Sequence, residues 1–522
     1  MNSYTRLMLT LLLAGALAGC AGYRQWIPQS KISSGTKGEM EILLLNGDVV
    51  RMHGGKVSDR SLVGRGTRIR ADGASMDFGG RIGIDSVALV QLHRKDAFAS
   101  LFAASAEIIV LGVGTSAVGG GSGVADVVIT YPSGGGYFGS CPLAYSFDGD
   151  SLCLESETYV GAICTKLERT ATDVLRRIRP SGDSLTVRIM NDSPETHLTN
   201  SVTLLAVDHP AGTVPVADIR GNLHTVSDPL PCVAATDRFG NDITAQMRPE
   251  DAVAYATDLS RIDPHNENDL RDAITCRFDR PAGARHAKLV VRCMNSDLGD
   301  FGLNRLFSLR GDAKLHWYHR LENDPLELRK LFAWMTREGG LEVSIKQQGH
   351  WVRAGIIAGV GGRAFGERLI MLDLGPEVGT SLEVKLEGTS GLWIIDAVSI
   401  DYSKDLPLDI TEAPRRSTSS NVGIDATPLL ASDDSQYLRT TTDQWVNLSF
   451  DTVATRGGMS RSYVLQTRGH YFGWYGQDDI DNSAIADRIL TEPLYGSKLY
   501  FKDWLATQTA LAGRAEVLGT GE

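Results

Sequence analysis

The strongest constraint on this chain is a two-residue rhythm of apolar and polar side chains that returns in short segments along most of its length. Leu185, Val187 and Ile189 alternate with Thr186 and Arg188. Leu341, Val343 and Ile345 alternate with Glu342, Ser344 and Lys346, and Leu382, Val384 and Leu386 with Glu383, Lys385 and Glu387. Successive side chains of a strand point to opposite faces, so each segment predicts a strand with one dry face and one wet face. Val202 to Val207, apolar after Thr203, predicts a central strand. Asn46-Gly47-Asp48 and Asp148-Gly149 predict tight hairpin turns. The fold class expected is mainly β.

Helical signals interrupt this texture. Asp324-Pro325-Leu326-Glu327 offers a cap, a proline at the first helical position and an early acid. Leu328, Leu331, Phe332 and Met335 then predict one apolar face, and Gly339 the end. Thr170-Ala171-Thr172-Asp173 predicts a short helix capped by Thr170 and stopped at Pro180-Ser181-Gly182. Near the C-terminus Ile485 and Ile489 share a helical face, Pro493 breaks it, and Leu499 to Leu505 continues. No fixed-period repeat is visible.

Of 522 residues, 42% are hydrophobic and 22% charged, enough apolar surface to offset chain entropy in a globular fold. With 52 Lys and Arg against 63 Asp and Glu, the net charge of −11 argues against nucleic acid as a partner, because phosphate binding needs surplus cations. At roughly 150 residues per domain the length predicts about three domains.

The N-terminus bears on compartment. Leu7 to Leu17 is an apolar run of 11 residues, too short to span a bilayer but suited to the core of a secretory signal. It ends in Leu17-Ala18-Gly19-Cys20, which resembles the lipobox of bacterial lipoproteins. The resemblance implies cleavage before Cys20, a diacylglyceryl thioether on its sulfur and acylation of the new amino group; several acyl chains make a stable membrane anchor. Ala21, rather than Asp, implies by the same resemblance the outer membrane, on its periplasmic or surface face.

The chain divides on sequence as follows: signal peptide 1–19, tether 20–38, a small β-barrel similar to SH3 domains 39–95, a hydrophobic Gly-rich helix and linker 96–136, a β-sandwich 137–296, a helical insert 297–340, a β-sandwich 341–412, sandwich strands 413–476, and C-terminal helices 477–522. Ala97 to Val118 carries small residues around Ile108 at four-residue spacing (Ala104, Gly112, Ser116, Gly120), as in closely packed helices, with Glu107 opposing a membrane span. A buried or membrane-associated hairpin and a true span both fit.

Beside Cys20 stand Cys141, Cys153, Cys164, Cys232, Cys276 and Cys293, with no C-x-x-C spacing to suggest zinc. Segments at 273–278 and 287–293 read as strands around Arg280-Pro281-Ala282-Gly283. A hairpin there would place Cys276 opposite Cys293 as a disulfide, with buried free thiols the alternative.

Several phrases resemble an uncharacterised family of exported bacterial lipoproteins with a β-sandwich-rich region. They are Cys141-Pro142-Leu143-Ala144-Tyr145, Phe147-Asp148-Gly149, Gly161-Ala162-Ile163, Leu167-Glu168-Arg169-Thr170, Val207-Asp208-His209-Pro210, Trp393-Ile394-Ile395-Asp396 and Asp401-Tyr402-Ser403. The match runs from about 141 to 505 and implies fold and location, not chemistry. Segments 341–403 and 430–476 are also similar to galactose-binding-like, jelly-roll sandwiches.

No G-x-S-x-G, H-E-x-x-H, Walker or EF-hand pattern is present, so no catalytic or metal residue and no cofactor is assigned. His316 and His319, Asp208-His209-Pro210, and Asp396 with Asp401 read as packed or turn residues rather than sites. The run His470-Tyr471-Phe472-Gly473-Trp474-Tyr475 is the best binding candidate, because Tyr471, Trp474 and Tyr475 could stack on sugar rings if exposed. The expected role is a non-catalytic scaffold or partner-binding lipoprotein of the cell envelope, contacting membrane through Cys20 and envelope proteins or glycans beyond it. A carbohydrate-binding surface lipoprotein and an envelope hydrolase are the alternatives.

Overall fold

In the computed structural model the described residues are 23–26, 37–94 and 141–506, apart from 45–47, 71–73, 249–250, 252, 376–378 and 475–480. The fold is mainly β, as the alternation requires. Cys20, the signal segment, the stretch 97–118 and Tyr475 lie outside the described residues. Among the described residues no helix is long and apolar enough to cross a membrane.

The N-terminal unit is a six-stranded antiparallel sheet. Its order is Tyr23–Trp26, Val87–Arg94, Lys37–Leu44, Val49–Ser58, Ser61–Ile69, Ser75–Gly83. The path is open: the first and last strands named are edges and do not pair, so the expected closed barrel is not confirmed. Met40, Ile42, Val50, Met52, Leu62 and Leu92 form its core.

The larger unit contains two sandwiches, and its strand pairing does not follow the linear order of the chain. In the first, one sheet runs Arg415–Ser420, Gln444–Asp451, Ser184–Asn191, Leu143–Phe147, Leu152–Glu157. The other runs Asp409–Glu412, Glu195–Pro210, Met459–Gly473, Arg169–Leu175. Strands before residue 211 thus pair with strands after residue 408. Ser184–Asn191 shows the predicted alternation, its Leu185, Val187 and Ile189 packing into the core with Leu448 and Phe450. Arg169–Leu175 is a strand, not the short helix expected from Thr170: its ladder with Met459–Gly473 outweighs a local cap, and β-branched threonines and Val174 suit a pleated surface.

The intervening chain forms the second sandwich. One sheet contains Leu230–Pro231, Trp393–Asp401, His286–Asn295 and Gly366–Asp373; the other contains Ala234–Thr236, Arg271–Asp279, Ser381–Thr389, Leu341–Gln347 and His350–Ile357. The strands bearing Cys276 and Cys293 therefore belong to different sheets of one core and do not pair. The turn between them crosses from sheet to sheet, which removes the hairpin geometry behind the expected Cys276–Cys293 bridge. Both thiols are buried and free, and the Cys276 side chain neighbours that of Cys232.

Between the strands His286–Asn295 and Leu341–Gln347 lie helices Leu298–Ser308, Lys314–Asn323 and Pro325–Gly339. Asp324 caps the last of these, accepting from the Leu326 amide at 2.9 Å, with Pro325 at the first position as predicted. Its inward stripe is Glu327, Leu331, Trp334 and Glu338, whereas Phe332, expected inside, is 60% exposed. A final helical stretch, 495–506, contributes buried Tyr500.

Candidate functional site

A cavity of about 260 Å³ opens where the first sandwich, the second sandwich and the helices meet within the larger unit. Glu157 enters from the end of its strand, Arg169 from the start of another, Asn295 from the end of His286–Asn295, Asp300 from the first turn of Leu298–Ser308, and Trp334 and Met335 from Pro325–Gly339. The segment 358–362, between His350–Ile357 and Gly366–Asp373, forms another wall. Leu298, Leu303, Val360 and Leu392 make much of the remainder apolar.

Two glycines are required by close approach. A Cβ on Gly361 would stand 2.2 Å from the Glu157 carboxyl carbon. Gly359 has φ +69°, and a Cβ there would lie 2.3 Å from an Arg169 guanidinium nitrogen. This loop presses backbone onto both charged groups: the Arg363 amide donates to Glu157 Oε1, and Arg169 Nη2 donates to the Gly359 carbonyl at 3.4 Å.

Burial dominates the electrostatics. It pushes the Glu157 pKa up from 4.5 to about 7, against the lowering effect of the Arg363 amide and guanidinium. Asp300 is held well above the usual carboxylate range by burial and then by Glu157 and Asp297. Glu195, just behind, is raised by burial and by Asp300 and Glu157. Burial likewise keeps the Cys141 thiol protonated, where it donates to Tyr471 Oη at 3.3 Å.

The aromatic run contributes to this wall rather than to an open shelf. Tyr471 is 3% exposed and lines the cavity; Trp474 is 9% exposed and its indole N–H donates to Thr196 Oγ1 at 3.0 Å. Neither offers a free face to sugar.

A second arrangement has a triad-like outline. Thr165 Oγ1 lies 3.3 Å from His470 Nε2, and His470 Nδ1 lies 2.9 Å from Glu168 Oε2. Burial works to raise Glu168, but His470, the Tyr437 hydroxyl and Arg468 outweigh it and hold its pKa low. Hydroxyl-nucleophile sites commonly use the nucleophile's own amide to receive an oxyanion. Here that amide, Thr165 N–H, donates to the Glu322 carboxylate at 2.7 Å, so an anion would meet a carboxylate. The cluster ties strand to helix.

The remaining polar candidates are structural. Asp208 receives Arg461 through two nitrogens at 2.8 Å, His209 bridges Thr213 and Ser462, and Asp396 receives Arg292 at 2.7 Å. His316 and His319 stack at 6.1 Å. The cavity itself escaped sequence reasoning. The one available signal was the run Gly359-Val360-Gly361-Gly362 after a strand, where glycine marks close backbone approach. Comparison with protein-family models and with curated proteins finds no match.

Proposed function

We propose that this chain is a cell-envelope lipoprotein whose β-sandwich body is a non-catalytic binding module, and that a small molecule occupies the cavity between its sandwiches. The cavity carries the reading: concave, mainly apolar, with a few convergent polar groups and perturbed carboxyls, it has the character of a small-molecule site. The buried positions of Tyr471 and Trp474 withdraw support from sugar stacking.

Native mass spectrometry of protein extracted from membranes in mild detergent tests the cavity reading. A bound small molecule is expected, and Met335→Trp, which fills the space, should release it. Empty protein, together with unchanged melting of the variant, would reject the site. The anchor is tested separately. Cells fed radioactive palmitate should label the wild type, while Cys20→Ser should lose the label and leave the membrane fraction; a labelled C20S protein would refute lipidation at that sulfur.

A further inference from the structure

We infer that the molecule held in this cavity carries a carbonyl oxygen on a short apolar body, fixed by N–H donors that the protein itself leaves without acceptors. This rests on the cavity reading and names its ligand class. Trp334 is 6% exposed, lines the cavity, and has an indole N–H with no hydrogen-bond partner. Asn295 Nδ2 and Arg169 Nε are also buried and unpartnered, on side chains that line the same space. Buried donors are nearly always paired, and orphans in a native structure ask for an explanation. Three such donors on side chains lining one apolar cavity call for acceptor lone pairs, of which a carbonyl oxygen offers two and a carboxylate enough for all three.

The alternative, an organic cation drawn by Glu157 and Asp300, fits less well. An ammonium group supplies only donors, and Arg169 shares its space. Both acids are held toward their protonated forms, in which they donate rather than attract a cation. At roughly 30 Å³ per water-sized volume, the 260 Å³ cavity takes on the order of ten non-hydrogen atoms.

Octanamide, octanoate and octylammonium match that size and differ only in the head group, so calorimetry with each tests the inference. Octanamide or octanoate should bind, and octylammonium should not. Trp334→Phe keeps an aromatic ring but removes the N–H, and should weaken octanamide about tenfold, the loss expected for one buried hydrogen bond. Asn295→Leu gives an independent second variant. Comparison of pH 6 with pH 8 separates the two head groups. Glu157 meets Asp300, Asp192 and Arg363, with Glu195, Arg169 and Cys141 nearby. Its ionisation should weaken octanoate while leaving octanamide unchanged. Tighter binding of octylammonium, an unaltered octanamide affinity in both variants, or a membrane-extracted ligand lacking a carbonyl would overturn the inference while leaving the cavity reading standing. Protein with no small molecule and no affinity for any probe, its donors met by water only, would end both.

Discussion

Replacing Lys288 by methionine should destabilise the larger unit by about 3–5 kcal/mol, the cost of stranding a buried charge. Lys288 and Asp401 are direct cross-strand partners, each only 1% exposed. The ammonium lies 3.1 Å from Asp401 Oδ2 and also donates to the Thr225 carbonyl and, at 3.2 Å, to Ser403 Oγ. Asp401 additionally accepts from the amides of Ser227 at 2.9 Å and Ser403 at 2.7 Å. Methionine fills similar volume but leaves the carboxylate without its cation. The double variant Lys288→Met, Asp401→Asn should recover part of the loss, because the two sites are one interaction. Burial works to raise the Asp401 pKa, yet the two amides, the Ser403 hydroxyl and Lys288 together hold it below the usual carboxylate range. A depressed carboxylate lends stability above its unfolded pKa and loses it as pH falls through its folded value. The wild type should therefore keep this contribution until the pH drops below the ordinary carboxylate range, and K288M should lose it at higher pH. Urea unfolding at stepped pH measures both effects; a variant within 1 kcal/mol of wild type would contradict the argument.

Glu157→Gln has the opposite sign. The folded pKa of about 7 lies above the ordinary 4.5, chiefly through burial, so folding takes up a proton at neutral pH. The stability from this uptake is complete below the unfolded pKa and is lost as pH rises through the folded value. A gap of that size corresponds to roughly 3 kcal/mol at the alkaline end. Glutamine is neutral, nearly the same size, and can still accept from the Arg363 amide. The variant should match wild type near pH 5 and be the more stable protein at pH 8, with a flatter curve between. Parallel curves would mean that Glu157 is ionised in the fold. Asp300 and Glu195 remain in the variant, so some slope should persist.

The features legible in the sequence are those settled within a few residues. The alternation in Ser184–Asn191 reports which face is dry whatever the partner strand, and the Asp324 cap completes its hydrogen bond two residues away. Where a local signal competed with a distant one, the distant one won. The Thr170 cap yielded to a seven-residue ladder with Met459–Gly473, and the symmetric spacing of Cys276 and Cys293 about a turn meant nothing once their strands entered different sheets. Phe332 fits the helical period as well as Trp334 does, and only neighbouring elements decided which one was covered.

Chain patterning alone specified a β protein and the capped helix after Asp324, because dihedral preference and side-chain alternation are properties of contiguous residues. Which strands became neighbours, and hence that Glu157, Arg169, Asn295, Trp334 and Gly361 surround one cavity, was decided by tertiary structure. Many segments here share the same two-residue rhythm, so pattern does not choose among partners. The choice falls to the joint burial of two cores, and the raised carboxyls and orphan donors exist only after that burial removes water from them.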